Sequence, residues 1–367
     1  MGIEHATWKP GWTVSPGEIL AEALQARGMS QSELARRMDR PVKTINEIVK
    51  GKAAITPDTA IQLERSLGIS ARVWNGLESR HREWLAFERA DAELAEHVQW
   101  AAAFPLRDLV RHRLIPEGQS GTDRVAALLS YFRVGTPTAW DRQWLEPATS
   151  FRASPSYASS PQAVAAWLRW GEIEAEGAEI GAFDAPRFRS ALQAVRPLTR
   201  REPFLQIVER VKELCAEAGV AVVLTPELTG THLSGAARWR PGGGALIQLS
   251  LRHKTDDHFW FTLFHEGGHL LEGKRRDYID AVDDPSAPNA ADEAEADTFA
   301  RDTLLPRADY ETFVQGGDFN EASVRSFAES QTVSAGIVVG RLQRDGWLDR
   351  THLNKLKRSI RWPAAQD

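Results

Sequence analysis

The stretch FWFTLFHEGGHLLEG, residues 259–273, carries the fold of the second half of the chain. It is almost wholly apolar up to Phe264 and then sets His265, Glu266 and His269 in the spacing HExxH. On a helix, positions i and i+4 share a face, with side chains about 6 Å apart. Two imidazoles so placed can hold one Zn²⁺ at about 2.0–2.1 Å. Glu266 then stands beside the water such an ion activates, where it can act as general base. The apolar residues before the motif suit a buried active-site helix. With 10 histidines among 367 residues, chance supplies about 0.04 such strings, so the motif is suggestive without being decisive. Gly267 and Gly268 each cost a helix interior roughly 1 kcal/mol relative to Ala. Close backbone approach by a strand or by substrate would explain them.

A catalytic zinc site needs a third protein ligand and an open position. The stretch DEAEADTFA, residues 292–300, offers one. Glu293 and Asp297 lie at i and i+4, so one helix face can supply both a ligand and a carboxylate that fixes the tautomer of a ligand imidazole. Glu295 points elsewhere on the same helix; Glu293 is preferred, with Glu295 the alternative. Ala294, Ala296 and Ala300 beside Phe299 argue that this helix is buried despite its acids.

Working outward, the β signals are few. Val220–Leu224 (VAVVL) is a β-branched run between Gly219 and Pro226, and Gly235–Arg240 and Ala245–Leu251 are further candidates. Pro241-Gly242-Gly243-Gly244 between the last two predicts a hairpin turn, not a phosphate cradle, since no helix opens after it. Helical patterns fill 161–180, 185–196, 203–218, 256–272, 291–304, 308–315, 320–330 and 334–345, while residues 147–161 (PATSFRASPSYASSP) predict a loop or linker. The fold class expected is mainly α with a small β-sheet (α+β).

The N-terminal part predicts short helices with tight connections. Pro16 opens the first, Gly28 stops it, and Ser30 with Glu33 has the form of a capping box before Gln31–Met38. A break at Asp39-Arg40 precedes Pro41–Lys50, and Thr56-Pro57 opens a helix that ends at Gly68. The second and third of these have helix-turn-helix spacing. Leu34, Ala35, Met38, Ile45 and Ile48 fall where they must pack together. Val42, Lys43, Asn46, Glu47 and Lys50 are left on the outer face of the second helix, with Gln31 and Ser32 opening the first; these seven are the candidate DNA-binding residues. Residues 27–52 hold seven basic and three acidic residues, net +4, on a chain whose total is −5. Local positive charge is what phosphate neutralisation requires, whereas the overall charge excludes a wholly basic nucleic-acid coat. Domains are expected at about 12–80 (reader), 81–200 (helical coupling region) and 201–350 (metal domain).

The runs PGEILAEALQARGMSQSELARRM (16–38) and RPVKTINEIVKGKAAITPDTAIQLERSLGIS (40–70) resemble the antitoxin-type helix-turn-helix of the HigA and Xre regulators. Asp39 stands at the usual turn Gly, and Arg40 where an apolar residue is common. The resemblance implies operator DNA as partner and an antitoxin-like role beside a toxin or repressor; a homodimer follows from the two-fold operators such modules use. The pieces FWFTLFHEGGHLLEG, DEAEADTFARDTLLP (292–306) and VSAGIVVGRLQRDG (333–346) resemble the ImmA/IrrE metallopeptidases over roughly residues 205–350. That resemblance implies a zincin-like α+β domain with zinc at His265, His269 and Glu293, Glu266 as catalytic base, and a protein as substrate. It also implies a sheet before the active-site helix, with Ala245–Leu251 as an edge able to hold an extended peptide.

The remaining signals are weaker. Cys215 is the only cysteine among 367 residues, which excludes an internal disulfide framework and fits a reducing compartment; on its helix it is expected as apolar filler. Tyr278, His253 and His258 flank the metal helix, and one could stabilise an oxyanion. No apolar run reaches roughly 18 residues, and MGIEHATWKPGW lacks the apolar core of a signal peptide, so a cytoplasmic protein without a membrane partner is expected.

Overall fold

The computed structural model describes residues 12–117, 120–145, 160–274, 278–279 and 290–362. Most of the Ser/Pro stretch 147–161 therefore lies outside the described residues. The chain divides into two compact units, Met1–Val98 and Gln99–Asp367.

The first unit is all helical: α1 (Pro16–Gln25), α2 (Gln31–Arg37), α3 (Val42–Val49), α4 (Pro57–Leu67) and a long α5 (Ala71–Ala95). Short polar residues set the starts. Ser15 and Glu18 form a full capping box, and Ser30 and Thr56 accept from the backbone N–H three residues on. At Ser30 the expected box is only half made, because the Glu33 carboxylate pairs with Arg37 one turn on. Gly68 ends α4 in the left-handed conformation, φ 77°. Leu20, Leu34, Ile45, Leu63 and Trp74 are fully buried at the centre, with Ala35, Met38 and Ile48 nearly so. Asp39 itself takes the left-handed turn, φ 50°, which its short polar side chain tolerates. Arg40 does not enter the core: its Nε donates to Gln62 Oε1 at 2.6 Å.

Helix α6 (Val98–Ala102) starts at the boundary, and the second unit continues with α7 (Leu106–Arg111), α8 (Gly121–Phe132) and α9 (Pro137–Trp140), then α10 (Pro161–Ala175), α11 (Ala185–Val195) and α12 (Phe204–Ala216). A small sheet follows: β1 (Val220–Leu224), β2 (Gly235–Trp239), β3 (Ala245–Leu249) and, after α13 (Asp256–Leu271), the two-residue β4 (Tyr278–Ile279). Helices α14 (Ala290–Leu304), α15 (Arg307–Gln315), α16 (Glu321–Ser330) and α17 (Ala335–Arg344) close it. The architecture is mostly helical with a small sheet, α+β in class.

Strand order is β1-β3-β2-β4, with β1 and β3 parallel and the other pairs antiparallel. Strand β3 is therefore interior, not the edge expected of Ala245–Leu251. The chain leaves β1, crosses to form β2, and the Pro241–Gly244 turn returns it between the two. All five β3 residues are buried accordingly. Alternation sorts the side chains. Val220, Val222, Ala237, Ala245 and Ile247 face the main core of α11, α12 and α13, while Ala221, Val223 and Leu246 face Ala175 of α10. Cys215 is fully buried in the main core, and burial pushes its thiol up to about 12, as suits apolar filler. Among the described residues no helix is long and apolar enough to cross a membrane.

Candidate metal centre and nucleic-acid interface

Helix α13 is buried nearly all round, so its polar residues must find partners within the fold. His265 and His269, one turn apart, turn to α14. Their Nε2 atoms lie 3.1 Å apart, and Glu293 Oε2 lies 3.1 Å from the first and 3.4 Å from the second. Behind the first imidazole, His265 Nδ1 is 3.0 Å from Asp297 Oδ1. An ionised carboxylate can only accept, so His265 Nδ1 carries a proton toward Asp297, and a cation entering the cluster would displace the Nε2 proton that faces Glu293. Asp297 is itself held by Arg344 of α17 at 2.9 Å. His269 Nδ1 lies 3.6 Å from Glu272 Oε1. Glu295 is exposed and outside the cluster.

The donor set fits a small cation. Four ligands in a tetrahedron at about 2.0–2.1 Å have edges of about 3.4 Å, and the three edges here are 3.1, 3.1 and 3.4 Å. Burial alone would raise the Glu293 carboxyl. The hydrogen bonds and charge of His265 and His269 outweigh it and hold the group down to about 2, so it is ionised at neutral pH. Asp297 is likewise lowered against its burial by His265, Arg344 and Arg301.

Glu266 is fully buried and turned toward the sheet. A Cβ built on Gly235 would lie 2.5 Å from Glu266 Oε1 and 2.7 Å from Thr262 Cγ2, so the start of β2 closes over this carboxylate where only glycine fits. The glycines of the motif have other neighbours than a strand or substrate. A Cβ on Gly268 would meet Ala296 Cα at 3.0 Å, whereas one on Gly267 would meet the Leu192 Cδ1 methyl at 3.0 Å. Close approach at Gly268 is thus by helix α14, which brings Glu293 within reach of the histidines. Gly268→Ala is expected to lower stability by roughly 1–3 kcal/mol through overpacking against backbone. Gly267→Ala, facing a side-chain tip that can turn, should be near neutral. Urea midpoints of the two variants check the contrast.

His253 and His258 stack on each other with centroids 4.1 Å apart. Burial, His258 and Arg252 push His253 down to about 4. The side chain of Tyr278 lies outside the described residues. Arg344 and Phe261 were not legible as neighbours of the site. Phe261 sits one turn before His265, ring centroids 6.0 Å apart, and the Arg344 guanidinium lies over the Phe261 ring, 5.5 Å from its centroid.

In the first unit, Ser32, Val42, Lys43 and Lys50 are exposed, Gln31, Asn46 and Glu47 half-buried. Asn46 Nδ2 donates to Gln31 Oε1 at 3.1 Å, joining α3 to the start of α2. Lys43, its side chain 85% exposed, lies 3.8 Å from Glu47. Gly17 allows α1 to approach α3: a Cβ there would lie 2.6 Å from the Val49 carbonyl oxygen.

The comparisons with known proteins fall on two separate stretches of the chain. The helix-turn-helix family model (HTH_3) matches residues 20–74. An uncharacterized HTH-type transcriptional regulator of Escherichia coli strain K12, YddM, is 36% identical over 78 residues, 21% of this chain and 77% of that protein. The chain belongs to the helix-turn-helix regulator family. Beyond the regulator domain, the model for the IrrE N-terminal-like domain (Peptidase_M78) matches residues 215–343, a metallopeptidase-like stretch within the second unit. Two solved structures are similar to the regulator domain alone. An addiction module antidote protein of the HigA family from Coxiella burnetii is 30% identical, covering 23% of this chain and 91% of that one, TM-score 0.21. The Pseudomonas aeruginosa antitoxin HigA, solved with the higBA promoter, is 34% identical, covering 23% of this chain and 94% of that one, TM-score 0.22.

Proposed function

We propose that this regulator binds operator DNA through residues 12–80, as an antitoxin-like homodimer in the cytoplasm, and that residues 201–350 form a zinc-dependent endopeptidase acting on a protein partner or on the chain itself. The region 81–200 couples the two. The observation that carries the proposal is the meeting of His265, His269 and Glu293 within 4.8 Å in one cluster, backed by Asp297, on a chain whose other unit is a helix-turn-helix domain. When bound, zinc supplies Lewis acidity toward a peptide carbonyl and toward water. His265, His269 and Glu293 hold it; Asp297 keeps His265 in the tautomer that presents Nε2. Glu266 takes a proton from the attacking water and returns it to the leaving amine. In the reader domain, Val42, Lys43, Asn46, Glu47 and Lys50 face the major groove, with Gln31 and Ser32 at its edge and the basic residues around them on phosphate.

Co-expression with the product of the neighbouring gene tests this. Specific fragments of the partner or of the chain are expected by mass spectrometry, and a chelator added to the lysate should stop their appearance. A second reading has one observation in its favour: Glu266 is fully buried beneath Gly235. On that reading the chain is a repressor whose metal domain senses a ligand or holds a partner without cutting it, and neither partner nor chain is fragmented.

A further inference from the structure

The second unit contains a cavity of about 530 Å³ that excludes His265, His269 and Glu293 from its lining. Its walls come from α13, the end of α14, α17 and residues 350–357, and its size is within the range of small-molecule sites. Five permanent cations line it, Arg301, Arg341, Arg344, Arg350 and Lys357, against a single acid, Asp257. Lys357 Nζ neutralises that acid at 2.7 Å. Arg344 is engaged by Asp297 from outside the lining, and Arg341 Nε by Asp345 at 2.6 Å. Arg301 donates to Thr298 Oγ1 at 3.1 Å and adds to the charge that lowers Asp297, and Arg350 is exposed. The Arg341 guanidinium is also packed over the Tyr310 ring, 4.5 Å from its centroid. The two histidines of the lining add no charge at neutral pH, since His253 and His258 are both lowered, first by burial. Phe261, Leu304, Leu305 and Ile337 add apolar surface to the lining.

We infer that this cavity binds a small organic anion, with a phosphate or carboxylate head on the arginines and an apolar body against Phe261 and Leu304. Guanidinium groups pair with both heads through planar, charge-assisted hydrogen bonds. Arg344 belongs at once to the cavity and to the Asp297–His265 pair, so the site adjoins the metal cluster without sharing its donors.

The test uses the full chain, treated with chelator and dialysed, so that anion binding to a metal ion contributes nothing and the zinc proposal stands or falls separately. Phenyl phosphate, benzoate and neutral benzyl alcohol are titrated in by calorimetry. Saturable binding of one or both anions at a single site per chain is expected, with benzyl alcohol at least about tenfold weaker; the tighter anion names the head group. Arg301→Ala with Arg350→Ala should weaken the anion about tenfold or more at unchanged circular dichroism. Arg350→Glu, at an exposed position, should do so without touching the core. No saturable anion binding, equal binding of benzyl alcohol, or unchanged affinity in Arg350→Glu would overturn the inference.

Discussion

Glu266→Gln is expected to lower fragment formation by about 10²–10⁴-fold, the usual worth of a general base, while leaving zinc content and DNA binding intact. The side chains are isosteric, so the packing under Gly235 survives. Glutamine cannot take the proton of water, yet Glu266 is not among the cluster donors, so metal binding should not follow activity down. Time courses of fragment appearance for parent and variant, at matched zinc content, check this. Equal cleavage by both would move the base elsewhere in the site. Absence of cleavage in both would leave the regulator that cuts nothing.

The second large effect is expected at the reader helix. Lys43→Ala combined with Asn46→Ala should weaken a gel shift on the protein's own promoter region by roughly tenfold or more. A base-edge contact discriminates by about 1–3 kcal/mol, and losing one phosphate contact reduces the salt slope by about one. Neither residue supports the core: Lys43 is exposed, and the hydrogen bond of Asn46 runs to Gln31. A fall in affinity at unchanged thermal unfolding would therefore report the interface. An unchanged shift would place DNA on another surface, or leave this unit as a protein-docking module.

What the sequence disclosed and what it hid follow from the range of the forces involved. Helix ends were legible because caps are local: Ser30, Thr56 and Gly68 act within four residues. The His265–His269 pair and the Glu293–Asp297 pair were legible because each lies on one helical turn, and their meeting follows from one helix contact. The order of the sheet was not legible. Whether β3 is edge or interior depends on how the 225–234 segment crosses, and nothing in ALIQL distinguishes the two beyond its unbroken apolarity. The neighbour of Gly268 was misjudged for the same reason, since a missing side chain signals closeness without naming what comes close. Arg344 and the cationic cavity depend on α17 and residues 350–357 folding back against α13, as in the Lys357–Asp257 pair, about 100 residues apart along the chain. At Asp39 a local rule was bent: the turn needs φ > 0, and aspartate supplies it where glycine is usual.

The most direct measurement is metal content by mass spectrometry of the purified chain and of three variants, His269→Ala, Glu293→Gln and Glu295→Gln. One zinc per chain is expected in the parent and in Glu295→Gln, with little left in His269→Ala and Glu293→Gln. Equal zinc in all four, or none in the parent after purification and zinc loading, would contradict a shared site for His265, His269 and Glu293.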